Sequence, residues 1–145
     1  MSTEANKTII RRIPEEVFTQ GNLAVADEVV AADYREHVPL PPGFPTGLAG
    51  LKHFVTLLRT AFPDFQYTID DEIAEGDRVA IRVTARGTHQ GDWFGIPATG
   101  KTVSWTEMHI SRLADGKLVE HWANSDQVGL LQQLGVLPTP GPRSE

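Results

Sequence analysis

The sequence has no cysteine and few basic residues, and it contains no long apolar run. Without cysteine there is no disulfide framework, no thiol nucleophile and no thiolate metal site. No stretch approaches the roughly 18 apolar residues that cross a bilayer, so no membrane partner is expected. Lys and Arg number 13 against 19 Asp and Glu, a formal net charge of −6. Nucleic acids and anionic lipid surfaces are bound through basic surface, so neither is an expected partner. The N-terminal "MSTEANKTIIRR" lacks the apolar core of a secretory leader, and the expectation is a cytoplasmic protein. What is present is ordinary: 40% apolar and 22% charged residues over 145 positions, enough for one domain with a sizeable core.

The hydrophobic period changes midway along the chain. Ile9, Ile10, Ile13, Val17 and Phe18 recur at helical spacing, with Pro14 expected to bend or divide the segment. Asn22 suits the N-cap of a short helix carrying Leu23, Ala26, Val29 and Val30. The proline-rich "YREHVPLPPGFPTG" reads as a loop. Leu48, Leu51, Phe54, Val55, Leu58 and Phe62 then form an amphipathic stripe that Pro63 ends. Beyond it the period is two. "FQYTIDDEIAEGD" and "RVAIRVTARGTH" flank Gly76-Asp77, while "TVSWTEMHISRL" and "KLVEHWANSD" flank Asp115-Gly116, a strong hairpin signal. "QVGLLQQLG" reads as a final short helix. Helices first and antiparallel strands afterwards predict an α+β fold, with helices packed on one face of a curved sheet. One domain over residues 1–137 is expected, with "PTPGPRSE" (138–145) a disordered tail.

Residues Gly95 to Thr102, "GIPATGKT", match the G-x-x-x-x-G-K-[ST] template of a phosphate-binding loop. That loop works only when a helix follows at once, so that its N-terminal amides face the anion. Here the chain after Lys101 alternates as a strand. The segment is therefore expected to be a turn-rich connection between two long strands, with Lys101 a solvated charge.

The second hairpin concentrates chemistry. If Asp115-Gly116 is a two-residue loop, regular pairing sets His109 opposite Trp122, Glu107 opposite Asn124 and Trp105 opposite Asp126, all on one face. Met108, Ile110, Val119, His121 and Ala123 would then form the other, open face. A one-residue slip would scatter this set. A histidine, two carboxylates, an amide and two indoles make a mixed lining of the sort an enzyme cavity uses. Asp126 is the first candidate base, with Asn124 and His109 as donors or relays and Glu107 next in line. Each has a plainer role open to it. Asp126 stands where the last helix begins and fits an N-cap; Glu107 could pair with an arginine; His109, Trp105 and Trp122 could be core. The five histidines form no H-E-x-x-H pattern, and no metal is expected.

"HQGDWFGIPATGKTV" followed by "LADGKLVEHWANSDQVGLLQQLG" resembles the SnoaL-like polyketide cyclases, within the superfamily of nuclear transport factor 2 and ketosteroid isomerase. The resemblance spans roughly residues 5–136. It implies a cone in which a curved antiparallel sheet wraps a long helix around an internal cavity. It further implies cofactor-free ring closure by intramolecular aldol addition of a small hydrophobic carbonyl compound, using a His and an Asp of the late strands. His37 falls where this family commonly places a polar cavity residue, and Trp93 and Phe94 fall where they could close the cavity mouth. An epoxide hydrolase or dehydratase on the same fold, or a non-catalytic small-molecule-binding module, are the alternatives. A homodimer through the open sheet face is expected, because Met108, Ile110, Val119 and Ala123 would otherwise be exposed.

Overall fold

A computed structural model describes residues 2–139; Met1 and residues 140–145, most of the expected tail, lie outside the described residues. Helix α1 (Thr3–Arg12) passes into a π-helical segment (Ile13–Thr19), followed by α2 (Leu23–Val29), β1 (Val30–Glu36) and α3 (Gly47–Ala61). Strands β2 (Gln66–Glu75), β3 (Arg78–Thr88), β4 (Thr102–Ala114) and β5 (Lys117–Ser125) come next, and α4 (Gln127–Gln133) ends the series. The strands form one open sheet in the order β1-β5-β4-β3-β2. Among the described residues, no helix is long and apolar enough to cross a membrane.

Local chemistry accounts for the boundaries. Ser2 caps α1 by accepting the Ala5 amide at 3.1 Å. Pro14 offers no N–H and its ring crowds the carbonyl four residues earlier, so the α-helical ladder gives way there to the wider π-helical one. Phe62, whose amide still bonds Leu58, closes α3 just before Pro63. Asp115 and Gly116 both adopt positive φ (52° and 75°), the backbone of the tight turn expected between β4 and β5. Between β3 and β4, Gly95 (φ 87°) and Gly100 (φ 73°) turn the chain, and Lys101 leads straight into β4. No helix follows "GIPATGKT", and the match to a phosphate loop is coincidental.

Two expectations are corrected. The segment read as loop from Tyr34 is strand through Glu36, and β1 runs parallel to β5. The sheet is therefore mixed, antiparallel only across β2 to β5. The hairpin register also changes partway. Ala114 pairs with Lys117 and Leu113 with Leu118 as a two-residue turn requires, but Arg112 then pairs with Glu120. Val119 is the extra residue of a β-bulge, and every later residue of β5 swaps faces relative to regular pairing. His121, Ala123 and Ser125 turn inward; Trp122 and Asn124 share the outer side with Ile110 and Met108.

The core lies between the helices and the inner sheet face. Phe62, Phe65, Val55, Leu58, Val79 and Val83 are fully buried. Phe62 meets the rings of Trp93 and Trp105 at centroid distances of 5.7 and 5.5 Å. β3 passes so closely under Phe62 that a Cβ at Gly87 would lie 2.9 Å from the Phe62 Cβ.

Candidate active site

The helices and the inner face of the sheet enclose a cavity of about 1120 Å³. Ile10, Phe18, Leu51, Phe54, Ile81 and Val83 supply much of its apolar wall. Against this wall runs a polar strip from β2 through β4 and β5 to β1: Tyr67, Glu107, His109, Ser111, His121 and Glu36. Alternation places Glu107, His109 and Ser111 on the inner side of β4, while the Val119 bulge turns His121 to meet them.

Apart from Ser111, the strip is one hydrogen-bonded chain. Glu107 Oε1 accepts from the Tyr67 hydroxyl at 2.7 Å and lies 2.8 Å from His109 Nε2. Its other oxygen accepts the Trp105 indole N–H at 2.6 Å. His109 Nδ1 is 2.8 Å from His121 Nε2, and His121 Nδ1 is 2.5 Å from Glu36 Oε2. Burial on its own would push the Glu107 carboxyl up. The hydrogen bond and charge of His109, then the bonds from Tyr67 and Trp105, outweigh it and hold Glu107 below the usual carboxylate value. Tyr67 moves the other way: burial first, then the charge of Glu107 and the hydrogen bond to it, pushes its pKa well up. Glu107 is thus a buried carboxylate kept ionised by three donors, and Tyr67 stays a neutral donor.

The structure brings some of the sequence-expected residues together and separates others. Glu107, His109 and Trp105 share the inner face, with Trp105 buried behind the carboxylate. Trp93 lines the cavity and packs edge-on against Phe54, at 6.0 Å. Phe94, with φ of 46°, lines the mouth and is half exposed. His37 and Asn124 reach the rim; His37 bonds Glu120 at 2.7 Å and stacks on Trp122 at 4.8 Å. Trp122 is absent from the cavity wall, because the bulge has turned it outward. Asp126 is exposed, caps α4 through the Gly129 amide at 2.9 Å, and does not line the cavity. The expectation that Asp126 and Trp122 join the cavity site is therefore corrected, both by the same one-residue shift.

Three members of the chain were not anticipated. Regular pairing assigns His121 to the open face, and nothing in "KLVEHW" announces a bulge. Glu36 lay in the segment read as loop. Tyr67 did carry a signal, since it alternates with Phe65 and Ile69, but alternation shows a side and not a partner. Among the described residues, no three His, Asp or Glu side chains converge as a metal site would require.

The fold and this site define a cone-shaped α+β domain whose cavity carries an acid/base array. Comparison with known proteins agrees with that class. The chain matches the SnoaL-like polyketide cyclase family over residues 8–134. It is 32% identical to aklanonic acid methyl ester cyclase DnrD of Streptomyces peucetius, with 97% of each chain covered. To nogalonic acid methyl ester cyclase of Streptomyces nogalater it is 30% identical, covering 81% of this chain and 89% of that protein. Among solved structures, TsrD of Streptomyces laurentii superposes with a TM-score of 0.86 at 26% identity, over 94% of this chain and 99% of that one. IdmH of Streptomyces antibioticus gives 0.78 at 37% identity, over 90% and 99%. The chain belongs to the SnoaL-like polyketide cyclase family.

Proposed function

We propose that the protein is a cofactor-independent cyclase that closes a ring by intramolecular aldol addition, acting on a polyketide-derived keto methyl ester. The observation that carries this reading is the unbroken chain Glu107–His109–His121–Glu36 along one wall of an otherwise largely apolar cavity. Aldol closure needs two proton transfers and no redox step. A proton beside a carbonyl is removed, and the enolate carbon forms a C–C bond to a second carbonyl of the same molecule. The resulting alkoxide then takes a proton back. Substrate and product are isomers. An array that exchanges protons among carboxylates and imidazoles suits both transfers, and indole and aliphatic walls suit a flat, hydrophobic substrate. Trp93, Phe94 and Trp105 would contact its rings, with His37 and Asn124 at the entrance. The relatives named as methyl ester cyclases favour this reading over an epoxide hydrolase, a dehydratase or a binding module.

The test is turnover of an aromatic keto methyl ester, followed as appearance of a ring-closed isomer. His109→Phe keeps a ring of similar size and removes both nitrogens, and should lower kcat by ~10²–10⁴-fold. Wild-type turnover in that variant contradicts the reading.

A homodimer through the outer sheet face is the second part of the proposal. Ile73, Ala80, Ile110 and Trp122 are successive cross-strand neighbours and form an apolar row across four strands, with Met108 beside it. Ile73 is 67% exposed, Met108 61% and Ile110 43%, which in a lone chain leaves a contiguous apolar band in water. Sedimentation should give twice the 15.9 kDa chain mass, and Ile110→Lys should give the single chain. A wild-type protein that sediments as the single chain at micromolar concentration rules the dimer out.

A further inference from the structure

Three hydrogen bonds join the four groups of the array: Glu107 to His109, His109 to His121, and His121 to Glu36. Each bond needs one proton, and two neutral imidazoles bring only two. With His109 Nε2–H donating to Glu107 and His121 Nε2–H donating to His109 Nδ1, the last contact still lacks its proton. Two lone pairs would otherwise face each other at 2.5 Å. Completing the chain takes a third proton between His121 Nδ1 and Glu36 Oε2.

Both nitrogens of each imidazole are engaged, and both Glu107 oxygens are occupied. Glu36 Oε1 makes no hydrogen bond to the described residues, and the Glu36 side chain lines the cavity. Two residues earlier on β1, Tyr34 also lines the cavity, and its hydroxyl likewise has no partner among the described residues. Burial, and secondarily the Glu36 charge, push the Tyr34 pKa up, so Tyr34 remains a donor. The other ionisable groups lining the cavity are Tyr67 on β2, the rest of the array, and Asp33, Arg35 and His37; Thr46, Ser111, Asn124, Ser125 and Gln127 are polar but neutral. From α1, the π-helical segment and α3, only apolar groups line it.

We propose that Glu36 is the catalytic residue that exchanges the proton with the substrate, with the third proton of the array held behind it. The assignment rests on the acid/base reading above. Glu36 Oε1 takes the proton from the carbon beside the carbonyl, and the C–H electron pair becomes the enolate. Tyr34 O–H donates to the enolate oxygen. Glu36 is then neutral, His121 carries the positive charge nearest the enolate and Glu107 the negative charge farthest from it, which stabilises the developing anion electrostatically. The enolate carbon attacks the second carbonyl, whose π pair moves to oxygen. That alkoxide takes the proton from Glu36 Oε1, and the array returns to its starting charge. His109, His121 and Glu107 are positioning residues.

Two measurements test this. In the ligand-free protein at neutral pH, nitrogen-15 and carboxyl carbon-13 NMR should find the third proton on His121 Nδ1 or on Glu36. In Glu36→Gln the side-chain amide donates to His121 Nδ1, so both imidazoles should become neutral Nε2–H tautomers. Two neutral imidazoles and two ionised carboxylates in the wild-type protein would overturn the proton count. In D₂O, the protein should accelerate exchange of the acidic C–H of methyl benzoylacetate. Glu36→Gln should lose that acceleration by ~10²-fold or more, and Glu36→Asp, which keeps a carboxylate on a shorter arm, should recover part of it. Full exchange activity in Glu36→Gln overturns the assignment. No acceleration by the wild-type protein would instead sink the cyclase reading, and the NMR result would still decide the proton count.

Discussion

Glu107→Gln changes one atom of the buried carboxylate at the inner end of the hydrogen-bonded chain. Glu107 accepts three bonds, from Tyr67 at 2.7 Å, Trp105 at 2.6 Å and His109 at 2.8 Å. Bonds to an ionised acceptor contribute about 1.5–3 kcal/mol each, and an orphaned buried donor costs about 1–3 kcal/mol. A glutamine carbonyl has two lone pairs and satisfies at most two of the three donors, while its NH₂ must face the third. The expected loss is roughly 2–4 kcal/mol, or about 6–16 °C in Tm for a chain of this size. The loss should also depend on pH. The folded Glu107 holds its pKa below the ordinary 4.5, so the unfolded chain takes up the proton first as pH falls. Its contribution is therefore complete above that value and disappears as pH drops through the folded pKa. Urea unfolding followed by tryptophan fluorescence should show a constant gap between wild type and Glu107→Gln at neutral pH, narrowing below about pH 4.5. Equal stabilities at pH 7, or a gap unchanged down to pH 3.5, would refute this account of the buried carboxylate.

Asp126→Ala should lose ~0.5–2 kcal/mol through the α4 cap, and Asp126→Asn almost nothing, with turnover unchanged in both; a large kcat loss in Asp126→Asn would return that residue to the chemistry. Deleting Val119 should remove the bulge but keep Leu113 paired with Leu118 and Arg112 with Glu120, so that His121 stays inward and turnover falls by less than ~10²-fold; a complete loss of turnover would contradict this register. ATP, GTP and Mg²⁺ should leave Tm unchanged, since a ligand stabilises only a state it binds; a saturable rise abolished by Lys101→Ala would restore "GIPATGKT" as a phosphate site.

The architecture was legible because its signals are local and redundant. Leu51, Val55, Leu58 and Phe62 repeat at helical spacing, Val79, Ile81 and Val83 alternate, and Asp115-Gly116 carries its turn type in its residues. The site was only half legible, and Val119 shows why. A bulge adds one residue without a composition signature, and period-two geometry turns that residue into a change of face for everything beyond it. Glu107 and His109 precede the turn on the regular strand, and the face assigned to them holds. Trp122, Asn124 and Asp126 follow the bulge and are displaced, while His121 replaces them. Glu36 was hidden differently. β1 has the burial of a strand held between α3 and β5, without the alternation that marks β3, and prolines begin just beyond it. Its strand character comes from tertiary pairing and not from local preference.

The central claim is that the cavity closes a ring by proton transfer alone. The most direct measurement is the identity of the product formed from an aromatic keto methyl ester by the purified protein in buffer containing EDTA. Mass spectrometry and NMR together would resolve it. The account predicts a product of unchanged mass with one new C–C bond and a new hydroxyl, with deuterium incorporated from D₂O at the bond-forming carbon where that carbon keeps a hydrogen. A product heavier by one water, or an ester returned unchanged at every protein concentration, would contradict it.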